Sequence, residues 1–284
     1  MEDAHTTLTD LEQDNKHISF FAVFDGHGGT HAAKFSGKNL HLNIVKTEEF
    51  KEGKYQEALK NGFLNTDSEL RADPTHEREP SGCTAVAVLI TDDHTIYCAN
   101  AGDSRAVLSN SGIAVPLSFD HKPSNQGEYN RIVAAGGFVE FGRVNGNLAL
   151  SRAIGDFEFK ANPDKSPEEQ AVTCNPDILE RAHQAGDEFF VIACDGIWDC
   201  MTNQQVVDFV SEKLYYGMGL PEICEAMTDR CLAADPMAGI GCDNMTVIIC
   251  AVLAGQTVAE WTEKVVKRYK ETAPVSNIPE EGVN

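Results

Sequence analysis

Short, strongly apolar runs alternate along the chain with stretches of helical spacing, and the apolar runs share an ending. Phe20–Phe24 leads into Asp25, and Phe189–Ala193 leads through Cys194 into Asp195, with Asp199 four residues later. Thr95–Ala101 reaches Asp103 in a Gly-Asp-Ser turn, and Asp243 stands just before the run Met245–Leu253. Such runs, rich in β-branched and aromatic residues, predict buried strands. A single acid after a strand is an ordinary turn signal. Four acids at four strand ends are a repeated device, and the repetition points to a site.

Between these runs the spacing turns helical. Ala33, Leu40 and Ile44 share a face after Gly28-Gly29, and Tyr55, Leu59, Phe63, Thr66 and Leu70 give a cleaner stripe. A polar loop is expected over Arg71–Pro80. Strands are then predicted at Ala85–Thr91, Thr95–Ala101, Arg105–Ser109 and Ile113–Leu117, whose short links imply antiparallel neighbours. Gln126–Ala135 reads as a helix stopped by Gly136-Gly137. Thr202 with Gln205 forms a capping box ahead of Val206, Val210 and Leu214. Pro221 suits the first turn of a further helix carrying Ile223, Cys224, Met227 and Cys231. The Pro-rich, charged segment 161–172 reads as a mobile flap. Val258, Trp261, Val265 and Tyr269 predict a last amphipathic helix, and a disordered tail is expected from Thr272. With no repeat and no linker, the residues read as one α+β domain.

Composition narrows the setting. A chain of 284 residues with 42% hydrophobic and 24% charged content is ordinary for a globular protein. No apolar run approaches the roughly 20 residues of a membrane helix, and "MEDAHTTLTD" lacks the basic and apolar regions of a secretory signal. The nine cysteines form no Cys-x-x-Cys pair, and Cys98, Cys194 and Cys250 lie inside strand-like runs. They read as small core residues in a reducing compartment, cytoplasm or nucleus. A net charge of −21 argues against a nucleic-acid partner. Solubility accounts for most of the 44 acids. Phosphorylated substrates stay open if divalent cations neutralise a few of them.

Aspartates at strand ends, without clustered Cys or His, suit hard oxygen-preferring ions: magnesium or manganese. Calcium fits less well, because its loop signature is missing. A pair of such ions lowers the pKa of a water and clamps a phosphoryl group. His27, two residues after Asp25, has an ordinary pKa near ~6.5 that suits a proton donor at neutral pH. A structural role beside a helix start is the plainer reading of that histidine taken alone.

The stretches "MEDAH", "FAVFDGHGG", "SGCTA", "ANAGDSRAVL", "DHKP", "RIVAAGGFVEFGRVNGNLALSRAIGDFEFK", "FVIACDGIWD" and "CDNMTVII" occur in that order between Met1 and Ile249. In these motifs the chain resembles the metal-dependent serine/threonine protein phosphatases of the 2C type. The resemblance implies a catalytic domain over 1–254; beyond it the residues' own pattern leaves a C-terminal helix at 255–271 and a disordered tail at 272–284. The resemblance also implies a central β-sandwich of two antiparallel sheets flanked by helices, a four-layer αββα arrangement. The implied activity is hydrolysis of phosphoserine and phosphothreonine in proteins by water or hydroxide bridging two divalent metals, with His27 as general acid. Asp25 would bridge the metals, with the Gly26 carbonyl as a further ligand. Glu2, next to Asp3, would serve the second metal, and Asp195 and Asp243 the first. Asp103 and Asp199, sharing Asp195, match a third and weaker site, and Arg143 sits where a flap meets the cleft. Neither Cys83 nor Cys194 need be reactive. Phosphoprotein substrates, no nucleic acid, no membrane and a monomeric state are the corresponding expectations.

Two departures accompany the resemblance. Cys83 stands where the family commonly has serine. The family's phosphate-binding arginine and the strands carrying it precede the "MEDAH" segment, so here they are expected to be missing, with an open sheet edge and weaker substrate binding. A catalytically impaired, binding-only domain is therefore the alternative reading. A purely metal-buffering protein would explain the aspartates but not His27.

Overall fold

In the computed structural model, which describes residues 1–11, 17–235 and 239–272, two antiparallel sheets face each other and helices cover both outer faces. One sheet runs in the order Ala4–Leu8, Ser19–Phe24, Ala85–Ile90, Thr95–Ala101 and Asp177–Ala182. The other runs Val247–Ala251, Asp187–Ala193, Arg105–Asn110 and Ile113–Pro116. The expected four-layer sandwich is the one formed.

The unbroken apolar runs follow from burial on both faces of the inner strands. Phe20, Ala22 and Phe24 point into the layer shared with helices His31–Val45 and Tyr55–Ala72, where Leu40, Leu59 and Phe63 meet them. The alternate residues Phe21 and Val23 point between the sheets, against Phe190 and Ile192. The strand Asp187–Ala193 repeats the arrangement: Phe189, Val191 and Ala193 meet helix Asn203–Tyr215, while Phe190, Ile192 and Cys194 face inward. Each fully buried large apolar side chain contributes about 1.5–3 kcal/mol, so these two strands are stiffly held. Their C-terminal ends carry Asp25 and Asp195.

The helix Val258–Thr272 packs into the same outer core through Trp261 and Val265. The Trp261 indole donates to the Glu188 carbonyl at 2.6 Å, and Arg268 pairs with the buried Glu188 carboxylate at 2.7 Å. Val258 is exposed, so the buried stripe is Trp261, Val265 and Tyr269 alone. No helix among the described residues is long and apolar enough to cross a membrane. The tail expected after Thr272 lies outside the described residues.

Three local expectations are corrected. Gly102–Ser104 is not a hairpin. The strand before it pairs with Ala85–Ile90 and Asp177–Ala182, the strand after it with Asp187–Ala193 and Ile113–Pro116. Ile96 and Cys98 on one side and Ala106 and Leu108 on the other feed one inter-sheet layer, so the chain crosses between sheets here. The polar loop 71–80 contains a short helix, Pro74–Arg78, capped by Asp73, whose carboxylate accepts from the Thr75 N–H at 2.8 Å. The segment 161–172 is tied down: the Gln170 amide donates to the carbonyls of Asn162 (2.8 Å) and Lys165 (2.9 Å), and Val172 is buried.

The crossing depends on Gly102, at φ +129, where an added Cβ would lie 2.5 Å from the Thr84 Cβ. Gly102→Ala therefore adds both backbone strain and overpacking. It should destabilise the fold by about 2 kcal/mol or more, read as a lower denaturant midpoint at unchanged slope. An unchanged midpoint would refute this account of the crossing.

Candidate active site

Asp25, Asp103 and Asp195 meet at one end of the sandwich, and a carboxylate oxygen of each lies within 4.8 Å of the others. They come from the end of a central strand in each sheet and from the crossing between the sheets. Thr84 ties the Asp25 segment to the crossing that carries Asp103. Its N–H donates to the Asp25 carbonyl at 2.9 Å, its hydroxyl accepts from the Asp25 N–H at 3.3 Å, and the same hydroxyl lies 2.7 Å from that of Ser104. Asp195 opens the short helix Asp195–Trp198, which is held from behind by the Trp198 indole donating to the Ala193 carbonyl at 2.8 Å.

Like charges this close make ionisation costly. Burial, and then the charges of Asp195, Asp3 and Asp103, push the Asp25 carboxyl well above the usual carboxylate range. Burial, and then Asp103 and Asp199, push Asp195 the same way. Burial also raises Asp103, although the Lys122 ammonium paired with it opposes the shift.

Further acids stand on the rim. Asp3 Oδ2 accepts from the Thr246 hydroxyl at 2.7 Å, while Asp3 Oδ1 is buried without a hydrogen-bond partner. The Glu2 N–H donates to the Asn244 side chain at 3.1 Å, and Glu2 adds its charge to the field at His27. Gly26 lets this segment approach, because a Cβ there would lie 2.3 Å from the Glu2 carbonyl oxygen. Asp199 and Asp243 are exposed, and both charges act on Asp195. Asp103 thus stands with Asp25 and Asp195 in one triad, and Asp199 lies outside it.

Three converging carboxylates and an orphaned Asp3 oxygen, with a single ammonium to offset their charge, form a donor set that fits a hard divalent cation. Arg143 stands apart. It is exposed on the two-stranded ribbon Val139–Glu140/Arg143–Val144, and its guanidinium donates to the Asn147 carbonyl at 2.6 Å. Cys83 is buried, and burial pushes its thiol up to about 12, so it is no nucleophile. Burial raises Cys194 likewise.

His27 faces a partner that sequence reasoning did not single out. Its Nε2 lies 2.8 and 2.9 Å from the two carboxylate oxygens of Asp156. Burial alone would lower the His27 pKa, but the Asp156 carboxylate outweighs it and the net shift is upward. A miniature sheet builds the pair: Gly26–His27 and Ile154–Gly155 flank Gly82–Cys83. Gly82 must lack a side chain, since a Cβ would fall 2.2 Å from Asp156 Oδ2. Asp156 itself takes a left-handed conformation at φ 50. The only sequence signal was an acid directly after a glycine, in Ile154-Gly155-Asp156-Phe157.

A family model described as Protein phosphatase 2C matches residues 1–237. A relative named protein phosphatase 2C homolog 2, from Aspergillus fumigatus, is 52% identical over 280 residues, covering 94% of this chain and 65% of its own length. A probable protein phosphatase 2C of Caenorhabditis elegans is 55% identical over 258 residues, covering 90% of this chain and 72% of its own. The chain thus spans just under two thirds of the Aspergillus relative. A solved structure titled as a phosphatase from a pathogenic strain of Toxoplasma gondii superposes with a TM-score of 0.70 at 28% identity, covering 87% of this chain and 91% of that one.

A raised carboxyl pKa means that the folded state holds its proton more tightly than the unfolded state does. The contribution of these three groups to the stability of the cation-free protein is therefore most favourable below about pH 4, where both states are protonated. It falls as pH rises towards the raised folded values. A divalent cation should raise the melting temperature, and by more at pH 8 than at pH 5. Asp25→Asn should stabilise the cation-free protein while removing most of the cation's effect. A cation shift independent of pH, or retained in Asp25→Asn, would contradict this assignment.

Proposed function

The chain belongs to the protein phosphatase 2C family, and from that premise we propose that it hydrolyses phosphoserine and phosphothreonine monoesters in proteins with the help of magnesium or manganese. The observation that carries this reading is the convergence of Asp25, Asp103 and Asp195 at one strand-end face, with His27 two residues from Asp25. Asp25, Asp103 and Asp195, with Glu2 and Asp243 on the rim, would hold divalent ions there, which would supply Lewis acidity and a water of lowered pKa.

The side chains divide the remaining work. His27 donates a proton to the departing seryl or threonyl oxygen, which leaves badly as an alkoxide. Asp156 is a positioning residue: it fixes the imidazole and favours its charged form. Thr84, Ser104 and Gly102 hold the carboxylates at a spacing that a cation would complete. The phosphate carries its own negative charge into a chain of net charge −21, so cation neutralisation is a condition for binding as well as for chemistry. No residue of the site speaks for the binding-only alternative. Eight buried or half-buried cysteines without a disulfide among the described residues support a reducing compartment, cytoplasm or nucleus.

Chelation should abolish activity, and magnesium or manganese should restore it where calcium does so poorly. His27→Gln should lose about 10²–10⁴-fold on a phosphothreonine peptide, and far less on nitrophenyl phosphate, whose leaving group needs little protonation. Asp156→Asn should follow the same ordering with a smaller loss. Equal losses on both substrates would assign this pair to structure instead of proton transfer. Full activity in a chelated sample would sink the metal reading.

A further inference from the structure

A cavity of about 910 Å³ opens beside His27 and Asp156 and extends to the short helix Pro74–Arg78. Its volume is that of a built ligand site, and the proton-transfer pair occupies only one end of it. Leu148, Phe157 and Phe159 give it an apolar wall. Four carboxylates line it, those of Asp73, Glu77, Asp156 and Glu158, against one guanidinium, that of Arg71. Asp73 is engaged with His31 at 3.1 Å and Asp156 with His27. Glu77 and Glu158 are exposed and make no ion pair among the described residues. Arg71 is committed to the wall, its guanidinium 4.1 Å above the Phe157 ring. His76, 6% exposed, meets the edge of the same ring and leaves its Nδ1 unpartnered.

Resting on the reading above, we infer that this cavity is a specificity subsite that receives a lysine or arginine side chain of the phosphoprotein, close in sequence to the phosphorylated residue. An apolar wall under a carboxylate rim matches a long cationic side chain, whose methylenes pack while its head meets Glu77 and Glu158. A second phosphate or an acidic residue would face the carboxylates, with Arg71 bound to the wall and His27 already paired with Asp156. The net charge of −21 acts in the same sense at long range, since it repels a phosphopeptide unless basic residues offset its charge. The site therefore selects basic phosphorylated segments.

The test uses one phosphothreonine peptide in which Lys, Ala or Glu is placed in turn at each flanking position. At one or more positions Lys should exceed Ala by about tenfold in kcat/KM, carried by KM and shrinking at high salt. Glu77→Lys combined with Glu158→Lys should invert the order in favour of Glu. Anisotropy with phosphonate analogues of the same peptides reads the same preference as binding, without turnover. Preferential binding of the Lys analogue alongside no hydrolysis of any substrate would retain the subsite and reject the phosphatase reading. Hydrolysis with no Lys preference at any position would do the reverse. A Lys preference unchanged in the double variant, or a preference for Glu or a second phosphate in the unmodified protein, would overturn the subsite.

Discussion

Mutual repulsion among Asp25, Asp103 and Asp195 is the constraint around which the rest of the molecule is arranged. Three carboxylates within 4.8 Å and largely out of water oppose folding unless protonated or matched by positive charge. Only Lys122 touches the cluster with a positive charge among the described residues. The fold must therefore supply the restraint mechanically. It does so by mounting Asp25 and Asp195 on inner strands with apolar cores on both faces, parts of the sandwich that yield little. A cluster on surface loops would relax by splaying apart, and with it would go the affinity for a cation. Stability is given up at the site and recovered in the layers behind it.

Restraint also comes from places where the backbone leaves no room. Gly26 lets the Glu2–Asp3 segment lie against the Asp25 turn, and Gly102 lets the crossing lie against Thr84. Asn244 and Thr246 reach back to Glu2 and Asp3. The first residues of the chain are thereby joined to a strand near its other end, across the mouth of the site. Glu2 is thus held through its backbone N–H and Asp3 through one carboxylate oxygen, in both cases by uncharged partners and not by countercharges. That leaves the Glu2 carboxylate and Asp3 Oδ1 to respond to a cation.

Much of this was legible in the sequence because burial on both faces leaves a distinctive mark: unbroken apolar runs that stop at an acid. The runs ending at Asp25 and Asp195 announced both the strands and the cluster. What periodicity could not show was which strands pair. The link Gly102–Ser104 has the length and composition of a hairpin, and only the shared inter-sheet layer of Ile96, Cys98, Ala106 and Leu108 makes it a crossing. Asp156 escaped for a related reason. Its importance depends on a two-residue pairing of Ile154–Gly155 with Gly82–Cys83, too short to leave any periodic trace. The arginine at position 143, placed by analogy at a cleft, donates to the carbonyl of Asn147, a residue that lines the cavity beside His27.

The two acidic systems at this end of the sandwich work in opposite senses, and their separation is what makes both useful. In the triad, like charges press against one another and each proton is held too tightly, a state that a cation relieves. At His27 a single carboxylate faces a single imidazole, and the charged form is favoured because a partner is present. Moving Asp156 into the triad would add to its repulsion and leave His27 governed by burial, which lowers its pKa. The miniature sheet prevents that. Gly82 and Gly155 bring the Asp156 backbone in from the side opposite the strand that carries Asp25, so the fourth carboxylate meets the imidazole instead of the other three. A cation-demanding cluster and a proton-holding pair thus share one edge without cancelling each other.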